Sequence, residues 1–199
     1  MTITNEMYSK LPNLVLGFHG CKLNTFESVL YSHEQLKPSN NTYDWLGNGV
    51  YFWENSYERA MEWAKKRYGE NGRVIGSVID LGHCLNLTDF SSTSILQEGY
   101  KVLDEAIKIA GLQMPENKNG KSVTDVLLRD LDCAVIEQVH KLNEKEPYDS
   151  VRGVFTEGVP IYPGSALQEK THIQICVVNP NCIKGYFEPI ELNEGYRLP

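Results

Sequence analysis

The sequence predicts an α+β fold, and three observations carry that reading. Short runs of apolar, β-branched and aromatic residues gather towards the two ends of the 199-residue chain. Helical periodicity fills the middle, and strands and helices do not alternate in βαβ order. With 41% hydrophobic residues the chain is long enough to bury a core of its own. No repeat, low-complexity tract or linker-like shift in composition divides it. It is therefore read as one domain, residues 1–199, with a helical insertion at about 91–146.

The elements follow in order. Leu14 to Phe18 is an apolar run leading into glycine-containing chain, as a buried strand would be. Asn24, with Glu27 three residues on, has the pattern of a capping box opening a helix to about Ser32. Residues 33–48 are rich in Pro, Asn, Ser and Gly and read as loop. Gly49 to Trp53 is a strand of β-branched and aromatic residues. Asn55 and Glu58 cap a second helix, which ends near Tyr68 at Gly69. Arg73 to Asp80 is a third strand. Two helical stretches, about Thr93–Ala110 and Val123–Asn143, are separated by a polar loop around Met114–Gly120. Strand character returns at Val151–Phe155, Thr171–Val178 and Ile183–Phe187.

Composition narrows the function. A net charge of -7 gives no long-range attraction to nucleic acid. The cluster Lys65-Lys66-Arg67 is read as the last turn of the second helix, where cations complement the dipole. No segment approaches the roughly 18 apolar residues of a membrane span, and Met1 to Lys10 lacks the basic-then-apolar order of a secretory signal. Five scattered cysteines, with no CxxC pair, argue against a disulfide framework. A soluble cytoplasmic protein with reduced thiols is expected.

Several motifs fail. Asn119-Gly120-Lys121-Ser122 lacks the first glycine of a phosphate-binding loop, because that position is Pro115. Neither GxGxxG nor GxSxG occurs. His33, His83, Cys84 and His140 have no ligand spacing, so no metal site is expected.

Three segments stand out together: Gly17-Phe18-His19-Gly20-Cys21, Gly47-Asn48-Gly49-Val50-Tyr51-Phe52, and Tyr148-Asp149-Ser150-Val151-Arg152-Gly153 followed by His172-Ile173-Gln174-Ile175-Cys176-Val177. In type and chain order they resemble the ADP-ribosyltransferases of the poly(ADP-ribose) polymerase and diphtheria-toxin class. The resemblance covers roughly residues 12–81 and 147–190 and leaves out the middle helices. It implies a split, mostly antiparallel β-sheet clamp with an inserted helical pair, and NAD as co-substrate.

What the resemblance implies for residues is specific. His19 pins a ribose hydroxyl, Gly20 offers its main chain to the nicotinamide amide, and Cys21 stands where Ser or Thr is usual. Gly49 permits close approach, Tyr51 stacks on nicotinamide, and Trp63 is the nearest second ring. Alternation along the late strand sets Gln174 and Cys176 opposite Ile173, Ile175 and Val177. The resemblance puts Gln174 in the place of the family's Glu, with Glu157 as a spare carboxylate. Arg152 is assigned to the NAD pyrophosphate or an acceptor.

The chemistry agrees with these residue types. Losing nicotinamide leaves an oxocarbenium-like ribose, which a site must hold and stabilise. Gln can bond a hydroxyl but brings no charge, and family members without the Glu typically transfer a single ADP-ribose. The expected function is mono-ADP-ribosyl transfer to a protein or nucleic-acid acceptor. Small bacterial relatives suggest a toxin or defence role, with an antitoxin or inhibitor as partner. NAD glycohydrolysis in the same site and a catalytically silent NAD- or ADP-ribose-binding module are the alternatives.

Overall fold

The computed structural model describes residues 14–118 and 128–198. In chain order the strands are β1 (Leu14–Lys22), β2 (Val50–Glu54), β3 (Gly72–Asp80), β4 (Cys84–Asn86), β5 (Asn117–Lys118), β6 (Leu128–Arg129), β7 (Ser150–Phe155), β8 (His172–Val177) and β9 (Ile183–Phe187). The helices are α1 (Leu23–Tyr31), α2 (Tyr57–Tyr68), α3 (Ser92–Ala110) and α4 (Asp130–Leu142). Seven strands form one sheet in the order β4-β7-β8-β2-β1-β3-β9, and β5 and β6 make a small separate ribbon. Within the large sheet β4–β7 is parallel and every other pair is antiparallel. The fold is α+β, as expected, with α3 and α4 inserted between β4 and β7.

Strand alternation assigns the side chains to their cores. On β2, Val50 and Phe52 enter a core shared with Phe26 and Val29 of α1, Ile75 and Ile79 of β3, and Ile175 and Val177 of β8. Tyr51 faces the opposite way, against Trp45, Leu46, Cys176 and residues Ile136 and Val139 of α4. Trp53 packs with Ala60 of α2 and Val74. Phe52 and Ile75 are fully buried, each contributing roughly 1.5–3 kcal/mol by leaving water. On β8, Ile175 and Val177 serve one core and Cys176 the other, which matches the expected alternation.

Local details depart from expectation. β1 runs four residues past Phe18 to Lys22, and Leu14 and Leu16 are exposed, so its first half is not buried. α1 begins at Leu23, which puts Asn24 inside its first turn, and no side chain caps the helix. Ser56, not Asn55, precedes α2, again without a side-chain cap bond; Asn55 instead adopts φ 50°. The end of α2 at Gly69, with φ 57°, is as read from the sequence. The second long helix was expected from Val123, which lies outside the described residues; Leu128 and Arg129 are strand, and α4 starts at Asp130. β4 was not anticipated. Among the described residues no helix is long and apolar enough to cross a membrane.

Candidate functional site

β1 and β2 are neighbours that part early. Their ladder pairs Gly17 with Glu54 and Phe18 with Trp53, and ends there. On its other edge β1 pairs with β3 along its whole length, from Leu14↔Asp80 to Lys22↔Gly72. Asn55 N–H donates to the Leu16 carbonyl at 2.9 Å, so odd-numbered residues of β2 and even-numbered residues of β1 turn their main-chain groups towards this shared edge. Beyond Phe18 and Trp53 those groups have no ladder to join. Gly20 and Tyr51 are the next in line.

His19 enters this opening. Its Nδ1 donates to the Tyr51 carbonyl at 2.8 Å, taking the place of a ladder bond. Burial lowers the imidazole pKa, opposed by that hydrogen bond, and the ring is neutral at physiological pH. With Nδ1 protonated, Nε2 carries the lone pair. His19 therefore pins a ligand hydroxyl as an acceptor and not as a donor.

Tyr51 is fixed at both ends. Its hydroxyl donates to the Gly47 carbonyl at 2.8 Å and accepts from Leu46 N–H at 2.9 Å, while Glu137 of α4 accepts from Asn48 N–H at 2.7 Å. Burial pushes the phenol pKa far up, so it stays protonated. The glycines have steric reasons to be there. A Cβ on Gly49 would meet Cys176 Sγ at 2.5 Å, and one on Gly20 would meet the Ala60 carbonyl at 2.7 Å and Trp63 at 3.0 Å. Gly20 thus lets α2 close down on β1 and brings Trp63 beside it.

Gln174 stands on β8 opposite Trp53. Its Oε1 accepts from Trp45 Nε1–H at 2.8 Å, and its Nε2 lies 3.0 Å from His172 Nε2. His172 Nδ1 in turn donates to the Lys170 carbonyl at 2.6 Å. Burial pulls the His172 pKa down to about 4.

His19, Gly20, Cys21, Gly49, Tyr51, Trp63 and Gln174 line one cleft of about 860 Å³, a volume typical of small-molecule sites. Burial pushes the Cys21 thiol up to about 11, so it serves as a weak thiol donor. No family model matches the chain. An uncharacterized protein of Methanocaldococcus jannaschii is similar to it, 26% identical over an alignment 195 positions long, gaps included, that covers 84% of this chain and 83% of the archaeal protein.

Two expected site residues lie outside the cleft lining. Arg152 forms a two-pronged ion pair with Glu54, at 2.6 and 2.8 Å, and reaches Asn86 and Thr88. Glu157 is paired with Arg59 Nη2 at 2.8 Å, and Arg59 also binds Glu62. Each charge is already answered by a partner distant in sequence.

The cleft also gathers residues that the sequence reading passed over. Trp45, Trp53, Tyr68 and Phe155 add aromatic wall, and Arg67 adds a cation whose guanidinium lies 5.6 Å from the Trp63 ring centre and 5.9 Å from that of Tyr68. Trp53 Nε1 is buried without a hydrogen-bond partner. Lys65-Lys66-Arg67 does occupy the last turn of α2 as expected. Its third member, four residues after Trp63 and so on the same helix face, is the signal that could have placed Arg67 in the cleft.

Proposed function

We propose that the chain cleaves NAD at its nicotinamide–ribose bond and transfers one ADP-ribose to a macromolecular acceptor. The observation that supports this best is the meeting of His19, Gly20, Tyr51 and Gln174 in one cleft where β1 and β2 part. His19 Nε2 would accept from a ribose hydroxyl, and the main chain of Gly20 would bond the carboxamide. Tyr51 and Trp63 supply ring faces for the nicotinamide. Arg67, Lys22 and Lys37 are the Lys and Arg side chains lining the cleft among the described residues, and suit the pyrophosphate.

The C1′–N bond breaks with its electron pair going to the nicotinamide nitrogen. The acceptor nucleophile then attacks C1′ and loses its proton to solvent or a neighbouring base. Gln174 can orient the ribose but adds no negative charge, which fits one transfer and a modest rate. The acceptor is a protein, RNA or DNA, and the acidic surface gives nucleic acid no electrostatic advantage. The five free cysteines suit a cytoplasmic setting. A toxin or defence role with an inhibitor partner belongs to the same proposal.

A silent NAD-binding module is the second reading, favoured by the engagement of both ends of the Gln174 amide inside the protein. Incubation with labelled NAD and a cell lysate, separated into protein and nucleic-acid fractions, tests both. Labelled macromolecule supports the transferase, and free ADP-ribose alone supports glycohydrolysis. NAD binding without consumption would overturn the enzyme reading.

A further inference from the structure

We propose that Trp45 and His172 are positioning residues that hold the Gln174 amide in one orientation, so that an amide and not a carboxylate is the group this pocket accepts at position 174. The chain of hydrogen bonds leaves no choice at any link. An indole N–H only donates, so the Gln174 atom 2.8 Å from Trp45 Nε1 is the carbonyl oxygen. A main-chain carbonyl only accepts, so the His172 nitrogen 2.6 Å from the Lys170 oxygen carries a proton. In a neutral ring the other nitrogen is then an acceptor, and it faces the Gln174 NH2 at 3.0 Å. Turning the amide over would set NH2 against an N–H and a carbonyl against a lone pair.

The two positioning rings are themselves held. Trp45 lies over Gly153, where a Cβ would come within 2.8 Å of the indole, and its ring centre is 5.2 Å from that of Phe155. The His172 ring sits between Phe155, at 5.4 Å, and Trp53, at 6.2 Å, and the residue is 8% exposed. Around it stand Arg59, which disfavours a second proton, and Glu62, which favours one; Lys170 and Glu157 pair with these two. Burial is the largest influence and keeps the ring neutral.

A carboxylate at 174 would turn one oxygen to Trp45 and the other to the His172 lone pair. That contact is repulsive until His172 takes up a second proton. The identity of residue 174 and the charge of His172 are thereby coupled. The amide keeps one free N–H and one free lone pair, each on a fixed side, for a ligand; that catalytic consequence rests on the NAD-cleavage reading.

The test has two arms. Ring NMR titration of His172 in wild type and in Gln174→Glu should show its pKa rise by roughly two units, as an adjacent carboxylate produces. An unmoved titration would overturn the network. In the second arm, His172→Phe should lower kcat for NAD about tenfold while leaving KM within about twofold, the signature of lost orientation rather than lost binding. His172→Gln, which restores an acceptor, should recover part of that loss. Wild-type kcat in His172→Phe would overturn the positioning role even if the titration moves. A wild type that consumes no NAD would sink the functional reading alone, because the titration still decides how Gln174 is held.

Discussion

The two edges of β1 differ sharply. Towards β3 every residue from Leu14 to Lys22 has a partner, and towards β2 the ladder covers Gly17 and Phe18 and stops. The same nine residues thus make a closed seam and an open one. The closed seam is bounded by buried Ile75 and Ile79, while on the open one Gly20 and His19 line the cleft. Openness here does not come from weak strand residues. It comes from a side chain, His19, taking the bond that a main-chain group would otherwise make, and from a glycine that lets α2 settle against β1. A site is built where a sheet is left incomplete in a controlled way.

Four changes would break or sharpen this contrast. The largest effect is expected at the bonded end of the short β1–β2 ladder, away from the opening. Glu54 ends β2 opposite Gly17, and Arg152 holds its carboxylate, both side chains being 11% exposed. Arg152→Ala strands that carboxylate, and stability should fall by about 3 kcal/mol in denaturant titration. NAD affinity should change little in the folded fraction. A large loss of affinity with intact stability would instead mean that Arg152 reaches the ligand.

Next comes His19→Ala, which removes the acceptor at the open edge. NAD affinity measured by calorimetry should fall roughly 10- to 100-fold. Unchanged binding would detach the opening from NAD altogether.

The third effect is pH dependence on the far wall. His172 has a folded pKa of about 4, against about 6.5 in the unfolded chain. The native state binds fewer protons between those values, so stability is complete above about pH 6.5 and declines as pH falls towards 4. The loss should be on the order of 2 kcal/mol once solvent screening is allowed for, and His172→Phe should flatten it. An acid limb that persists in that variant would locate the effect elsewhere.

The smallest effect is expected for Glu157→Gln. Its ion pair with Arg59 is partly exposed, so stability should change by about 0.5–1 kcal/mol and NAD turnover by less than about twofold. Abolished turnover would make Glu157 the operative carboxylate and leave Gln174 a packing residue.

How much of this was legible follows from the range of each signal. His19, Tyr51 and Gln174 could be read because each sits on a strand with its own local pattern. The alternation on β8 is repeated in the cores it serves, Ile175 and Val177 entering one and Cys176 the other. β4 was missed because three residues show no period, and its partner β7 begins 66 positions later, Cys84 facing Ser150. The two capping patterns misled because β1 continues directly into α1, and because Asn55 turns the chain with positive φ before α2. Arg152 and Glu157 carried no mark of their partners Glu54 and Arg59, which tertiary structure supplies. The link from His172 to Gln174 was within reach, since residues two apart on a strand share a face. Trp45 was hidden in a loop defined only by composition.

The parallel pairing of β4 with β7 bears on how the chain assembles in time. The polypeptide leaves the sheet at Asn86 and returns alongside it at Ser150, having made α3 and α4 in between. Closing so long an excursion carries an entropy cost that grows with its length. Prior docking of α3 on α4, where Gly99 lies against Val139, shortens the effective loop. The outer strand should therefore dock late, after the helical pair, and its amides should gain protection last in pulsed hydrogen exchange during refolding. Protection of Leu85 ahead of α4 would reverse that order. Because α4 also steadies the loop of Gly47 and Asn48 through Glu137, the cleft wall that holds Tyr51 would be among the last parts of the molecule to mature.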